Sequence, residues 1–504
     1  MKKNRFIYRV LILTAFLLIN ALLLFGIGEV YSYLNSGADK AGIFHGDLRG
    51  DINYHPEIKW DITTNKGLEI SPTVVKDIVD DYKLAWFIRN NALYSLEDTG
   101  IADLYTANAR EELYNLIELN KKTGVSIEST TLSHNLQIDF FSADGKIISF
   151  IDKDVTGFSR VTKHDEFVYE ANNTASYKVI MLLEDGFWRI RHLVRTSSEE
   201  TETMIRETIP LIEPIAGINY YPQDSAWDTF GEKFNEATIK KELTLIKDLG
   251  LNTIRIFVNY KDFGGADVRG GKLNKLSRLL DLSNAEDINV IITLFDFYGD
   301  YSIKEWTATR EHAKTIVNSV KEHPALLGWD VKNEPDLDFD NRNSNVVKSW
   351  LTQMLRYIKY IDPEHPVTVG WSNPESALNL VNEVDYISFH YYEDVKLLGS
   401  AISRIRSNTS KPMVLQEFGL STNYSFWSPF GNDEKDQAEY YEAFYKIQKR
   451  DSIHYLSWTL FDFEIIPKII SGNSPWRKIK QSNFGLVTIS GAKKPAFTII
   501  KSNH

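Results

Sequence analysis

The sequence predicts an α/β chain whose C-terminal part is a (β/α)8 TIM barrel, preceded by an N-terminal transmembrane helix and a small α+β domain. Three observations carry this prediction. From Ile215 onward, short apolar runs alternate with helical segments eight times. Residues 71–204 begin with helical periodicity and change to period two. The apolar run Val10–Gly28 follows four cations. At 504 residues the chain exceeds one ordinary core, so two or three folded units are expected.

Lys2, Lys3, Arg5 and Arg9 precede Val10–Gly28, whose clearly polar members are Thr14 and Asn20. Such a run, at 1.5 Å rise per residue, comes close to a hydrocarbon thickness of about 30 Å. Cations before the run stay in the cytoplasm, so everything after Glu29 is expected outside. Residues 1–30 are thus read as a cytoplasmic tip and an uncleaved anchor, spanning the membrane through residues 10–28. A cleaved signal peptide and a secreted product form the alternative, kept open by Asn35-Ser36-Gly37-Ala38. Residues 31–70 are polar, with Gly37, Gly42, Gly46 and Gly50 spaced through them, and read as a linker. The chain has no cysteine, which excludes disulfides and thiolate metal sites.

In residues 71–204, Val74, Val75, Ile78, Val79, Tyr82, Leu84, Ala85 and Ile88 recur at helical spacing, and a second helix fits Ala109–Asn120. Strands are then expected at Leu136–Phe141, Lys146–Phe150, Ser176–Leu183 and Phe187–Val194. Asp144-Gly145 and Asp185-Gly186 lie between them as hairpin turns, because glycine accepts a positive φ. Helices followed by a curved antiparallel sheet ending in Gly-Phe-Trp-Arg-Ile resemble the NTF2-like (SnoaL-like) fold. That resemblance implies a cone-shaped pocket. His134, Asp139 and His164 are titratable here, but no spacing unites them as a catalytic set, and a spacer or interaction module is expected.

Residues 205–504 form the barrel domain. Its strands read as Ala216–Tyr221, Thr253–Asn259, Asn289–Phe297, Leu326–Glu334, Val367–Trp371, Tyr386–Tyr392, Pro412–Gly419 and Ile453–Phe461. Helical segments such as Ala237–Leu249, Thr307–Glu322, Val346–Ile361 and Glu434–Arg450 lie between them. Strands apolar throughout, with helices between, indicate a parallel sheet covered on its outer face. Eight repeats in roughly 290 residues fit a closed barrel. No Gly-rich loop follows the first strand, which removes dinucleotide binding. A net charge of −11, dispersed along the chain, argues against a nucleic-acid partner. No paired histidines stand at metal-ligand spacing, so neither metal nor other cofactor is expected.

The active site of such a barrel lies at the C-terminal ends of its strands. The fourth ends in Gly-Trp-Asp-Val-Lys-Asn-Glu-Pro, which puts Asn333 and Glu334 at the rim, and the seventh ends in Val-Leu-Gln-Glu-Phe-Gly, which puts Glu417 there. Two carboxylates facing each other across a barrel mouth suit glycosidic cleavage. One, protonated, donates to the leaving oxygen, and the other, ionised, attacks the anomeric carbon.

Asn-Glu-Pro after strand four and Glu-Phe-Gly after strand seven resemble the retaining β-glycosidases of family 5, which includes cellulases and β-mannanases. The resemblance covers the whole barrel. It implies that Glu334 is the acid/base and Glu417 the nucleophile, and that Asn333 hydrogen-bonds the sugar 2-hydroxyl. It further implies that Arg255, in Ile-Arg-Ile-Phe-Val, underlies the nucleophile. Of Phe-His-Tyr-Tyr, Tyr392 is expected to donate to Glu417 and His390 to contact substrate or the acid/base. Trp458 would form the platform beneath the central sugar, burying the apolar face of a pyranose. Strand three departs from the family pattern: it carries Thr293-Leu294-Phe295-Asp296-Phe297-Tyr298 in place of a His, so Asp296 is expected to take over a sugar contact. Trp227, Trp306, Trp371, Trp427 and Trp476 fall in or near loops of the open face, and suggest a groove with several sugar subsites.

The functional expectation is an anchored, extracytoplasmic, retaining β-glycosidase, endo-acting on a glucan, a mannan or a cell-surface exopolysaccharide. The alternative is a non-catalytic polysaccharide-binding scaffold within polysaccharide synthesis or export machinery. Both make the partner a β-linked polysaccharide or oligosaccharide.

Overall fold

The computed structural model describes Asn20 and residues 52–200, 208–211, 214–424 and 431–504. The expected anchor at residues 10–28, apart from Asn20, lies outside the described residues, as do the first part of the linker and Trp427. Among the described residues no helix is long and apolar enough to cross a membrane. The chain divides into two compact units, Met1–Glu202 and Thr203–His504.

The first unit is an α+β fold built on a five-stranded sheet. Its strands are β1 (Glu57–Asp61), β2 (Val125–Phe141), β3 (Ile147–Lys163), β4 (Glu166–Glu184) and β5 (Phe187–Glu200), in the order β1-β2-β3-β4-β5. β1 runs parallel to β2 and the other neighbours are antiparallel. Two long helices, α1 (Pro72–Ser95) and α2 (Ala107–Thr123), with the single turn Ile101–Leu104 between them, precede the long strands. α1 starts at Ser71, whose hydroxyl accepts from the Val74 amide, with Pro72 in its first turn. Ile78, Tyr82, Ala85 and Trp86 of α1 enter a core with Leu136, Ile138, Phe150, Val179, Met181 and Ile190.

Two expectations are corrected. The antiparallel strands are longer than the apolar runs suggested, because their outer parts carry Ser, Thr, Asn and charged residues on a solvated face. The segment expected as linker contributes an edge strand, Glu-Ile-Lys-Trp-Asp, too short and mixed to show a period. The three titratable residues singled out do not form a set. Asp139 is half exposed and pairs with Lys66 at 3.3 Å, and His164 sits in the β3–β4 turn at positive φ. His134 is buried against Asp152 instead, at 2.6 Å.

The second unit is a closed barrel of eight parallel strands: β6 (Ala216–Asn219), β7 (Thr253–Asn259), β8 (Asn289–Asp296), β9 (Leu326–Asn333), β10 (Val367–Trp371), β11 (Ile387–Tyr391), β12 (Met413–Phe418) and β13 (His454–Ser457). β7, β10, β11 and β12 are buried almost along their whole length, as strands lined inside by the barrel core and outside by helices must be. The principal outer helices are α3 (Glu236–Asp248), α4 (Gly270–Ala285), α5 (Trp306–Val320), α6 (Ser344–Ile361), α7 (Leu398–Arg406) and α8 (Glu434–Asp451). α6 buries Val347, Trp350, Leu351, Met354, Leu355 and Ile358, one stripe at helical spacing. α8 opens with a capping box in which Asp433 and Asp436 bond each other's backbone amides. Between β10 and β11 a single 3₁₀ turn, Ser376–Leu378, stands where a helix was expected. After the last strand come a single helical turn, Lys468–Ser471, and two longer helices, α9 (Pro475–Ser482) and α10 (Pro495–Ser502).

Candidate active site

The barrel floor is organised by one guanidinium. Arg255, in the middle of β7, is completely buried. Its Nη1 donates to Glu417 Oε1 at 2.6 Å and to Asn219 Oδ1 at 3.1 Å. Its Nη2 donates to Asp330 Oδ2 at 2.6 Å and to Asn333 Oδ1 at 2.7 Å, and its Nε reaches Thr293 Oγ1 at 2.9 Å. The five groups come from β6, β8, β9 and β12, so the closed barrel brings them around one cation. A buried charge left unpaired would cost several kcal/mol, and here the fork is fully committed. Asp330 in turn accepts from Thr293 Oγ1 at 2.8 Å and from the Gly370 amide at 2.9 Å. Gly370 has no room for a side chain: a Cβ there would lie 3.0 Å from Arg255 Nη2 and closer still to Gln416.

Glu417 closes β12 with one oxygen held from below by Arg255 and the other held by the Tyr392 hydroxyl at 2.9 Å. The two donors fix its orientation. Glu334 follows β9 across the mouth. Its backbone is left-handed (φ 46°), which costs a non-glycine residue about 1 kcal/mol, and its amide donates to the Gly370 carbonyl at 2.7 Å. One oxygen of each carboxylate and a ring nitrogen of His390 lie within 4.8 Å of one another. Retaining hydrolysis uses carboxyl groups about 5–5.5 Å apart, and inversion needs about 6.5–9.5 Å to admit a water. The facing oxygens of this pair, no more than 4.8 Å apart, fit the shorter spacing.

His390, at the end of β11, is buried with Nδ1 2.8 Å from Glu334 Oε1 and 3.5 Å from Glu417 Oε2. Burial disfavours its charged form, but the two carboxylates outweigh this and raise it above the usual imidazole value. Burial would also raise Glu334, yet the hydrogen bond and charge of His390, with Arg255 and Lys332, leave it below the usual carboxylate range. The two groups are one proton-sharing couple, with imidazolium–carboxylate the favoured form before a substrate enters. These three side chains are also the donor types that surround a cation. Both Glu417 oxygens are held by Arg255 and Tyr392 and His390 Nδ1 meets Glu334, while His390 Nε2 is buried without a hydrogen-bond partner among the described residues.

Of the other expected site residues, Asn333 turns its oxygen onto Arg255, which leaves its amide nitrogen as the donor toward the mouth. Asp296 ends β8 as a buried carboxyl. Burial pushes it up to about 7, against the opposing charges of Lys332 and Arg255. Trp458 follows β13, nearly buried, and Trp227 lies 6.0 Å from it between ring centroids, with Tyr221, Phe257 and Phe463 completing an aromatic wall. Trp371 corrects the expectation of a sugar contact: it is 1% exposed with its ring against Phe339, and presents no open face. Trp306 likewise packs inside, its indole donating to the Tyr301 carbonyl. Asn219, Thr293, Asp330 and Lys332 belong to the site and were not singled out from the sequence. A polar residue in the middle of an otherwise apolar barrel strand was the signal available for the first three.

A closed parallel barrel whose mouth holds two carboxylates at this distance, one anchored by arginine and tyrosine and the other by histidine, has the form of a glycoside hydrolase. Residues 217–464 match the Cellulase (glycosyl hydrolase family 5) family, so the barrel is a family 5 glycosyl hydrolase domain. Among curated relatives, mannan endo-1,4-beta-mannosidase 3 of Arabidopsis thaliana is 26% identical over 224 residues, 35% of this chain and 51% of that one. Mannan endo-1,4-beta-mannosidase 1 of the same plant is 23% identical over 282 residues, 42% of this chain and 68% of that one. The chain spans about half the length of the first curated relatives it matches. Among solved structures, an exo-beta-1,4-mannosidase of Opitutaceae bacterium strain TAV5 is similar at a TM-score of 0.48 and 20% identity, over 57% of this chain and 59% of that one.

Proposed function

We propose that this chain is a membrane-anchored, extracytoplasmic, retaining β-glycosidase that cuts within a β-linked polysaccharide, with β-1,4-mannan the first candidate backbone. The observation that carries the reading is the short separation of Glu334 and Glu417, each held by its own partners. Glu417 attacks the anomeric carbon while the Glu334–His390 couple protonates the leaving oxygen. Glu334 then takes a proton from the water that releases the glycosyl-enzyme. Asn333, pinned by Arg255, directs its Nδ2–H toward the 2-hydroxyl, where the contact strengthens as positive charge develops. The curated relatives named as mannan endo-1,4-beta-mannosidases support both the backbone and the endo action.

The apolar run at residues 10–28, with cations before it, supports the anchor and the outward address. In this reading the first unit is an NTF2-like spacer or docking module, and the substrate is a surface polymer handled by synthesis or export machinery. Glu417→Ala in the full chain should abolish release of reducing ends from β-mannan, and azide should restore turnover with inverted product. Cleavage that survives the substitution, or azide without effect, sinks the assignment of the nucleophile. Deleting residues 1–30 should move the protein from the membrane fraction to the soluble one, and retention in the membrane fraction would refute the anchor.

A further inference from the structure

The last 40 residues, Ile465 to His504, contain no Asp or Glu in a chain whose net charge is −11. Three of their cations are spent inside the barrel unit, Lys493 and Lys501 on Asp248 and Lys494 on Asp462. The other four, Lys468, Arg477, Lys478 and Lys480, are exposed and form no ion pair with any described residue. They lie in the segment joining β13 to α10, on the face where β13 delivers Trp458. The same segment exposes apolar surface: Trp476 is 73% accessible, and Ile469 68%.

This segment is tied to the catalytic mouth. Ser421 Oγ, just beyond β12, donates to the Lys480 carbonyl at 2.6 Å, and the Thr422 amide donates to the Asn483 carbonyl at 2.8 Å. The Phe484 ring lies 5.8 Å from Tyr392, the hydroxyl that holds the nucleophile. Lys480, Phe484 and Tyr392 line one cavity of about 380 Å³ together with Glu393 and Asp394, so the cations that could meet an acidic substituent without a carboxylate in the same cavity are Lys468, Arg477 and Lys478. The segment that carries the exposed Trp476 indole and the unpaired cations is thus fastened to the wall beside Glu417. An indole face suits a pyranose ring, and cations without internal partners suit acidic substituents on that ring.

We propose that residues 468–480 are a distal subsite for an acidic β-linked polysaccharide, one whose sugars carry carboxylates. The proposal rests on the glycosidase reading above and names the substrate class of that same site. A lipid surface fits less well, since a membrane seated on this segment would cover the mouth through which a polymer enters.

The test uses the full chain carrying Glu417→Gln, so that bound polymer stays intact, in affinity gels cast with β-1,4-mannan or with the same mannan partly oxidised to carboxylate at C6. Oxidised mannan should retard the protein about tenfold more strongly, with the excess vanishing in high salt. Replacing Lys468, Arg477, Lys478 and Lys480 together by Ser should remove that excess and leave retardation by plain mannan unchanged. Trp476→Ala should weaken both. Equal retardation by the two mannans, or an excess that survives the fourfold replacement, overturns the proposal. So does equal retardation by dextran sulfate, which would show a general polyanion surface, or capture by phosphatidylglycerol vesicles without capture by oxidised mannan. Failure of the unmutated protein to cut either mannan would sink mannan as the backbone in the reading above, while the gels still decide the subsite.

Discussion

The two units each bury a histidine against a carboxylate, and the pairs differ in what surrounds them. In the first unit His134 Nδ1 meets Asp152 Oδ2 at 2.6 Å, with side-chain exposures of 1% and 0%. Every remaining valence is taken: Asp152 accepts also from the Tyr82 hydroxyl at 2.8 Å and the Asn135 amide at 3.0 Å. His134 Nε2 meets Thr131 at 2.9 Å, and Thr131 in turn bonds Tyr54. In the barrel, His390 meets Glu334 at 2.8 Å, but the Glu334 side chain keeps 26% of its surface and a second carboxylate stands opposite. A saturated pair is a clasp. A pair with an open edge and a neighbouring charge can give its proton to something that arrives.

Substitutions should separate the two. The largest effect belongs to the open site: Glu417→Ala should lower kcat/KM on β-mannan by on the order of 10⁵-fold in protein that still folds, since Arg255 keeps Asp330 as its carboxylate partner. His390→Asn should lower kcat/KM by on the order of 10²-fold. It should also draw the alkaline limb of the pH profile downward, because the raised imidazole keeps the couple's proton above the ordinary histidine range. An unmoved limb would remove His390 from the proton's path.

Asp152→Ala should do the reverse, destabilising the first unit by about 3–5 kcal/mol and leaving kcat/KM of the folded full chain unchanged. Lost turnover in protein that remains folded would show that the clasp is chemical after all.

The smallest effect is expected at Asp296. Its folded value, about 7, lies above the ordinary 3.8, so its ionisation opposes folding. The penalty is absent below about 3.8, grows as the unfolded chain ionises, and is complete above about 7. It amounts to at most about 4 kcal/mol. Asp296→Asn should therefore raise the melting temperature at pH 8 and leave it nearly unchanged at pH 4. A gain of equal size at both would show that the carboxyl is not held neutral.

Much of this was legible in the chain. Apolar strands of β7 to β12 announced themselves because both faces are buried, and their ends fell within two residues of the expected positions. Asn333, Glu334 and Glu417 could be named because strand tips are where a barrel keeps its chemistry. Arg255, His390 and Tyr392 came with the resemblance to family 5. The supporting ring of Asn219, Thr293 and Asp330 was hidden, since which polar residues turn inward depends on the barrel's register. Trp371 was misread for the opposite reason: a tryptophan at a strand tip satisfies packing as readily as it satisfies a sugar. In the first unit the outer halves of the long strands carry no apolar alternation, and their pairing came only from their neighbours.

The claim that joins these observations is that Glu334 and Glu417 act as a retaining pair. It is tested most directly by following the anomeric proton of the first product released from β-1,4-mannohexaose by NMR. The β-anomer should appear first and then mutarotate, and initial appearance of the α-anomer would contradict the account.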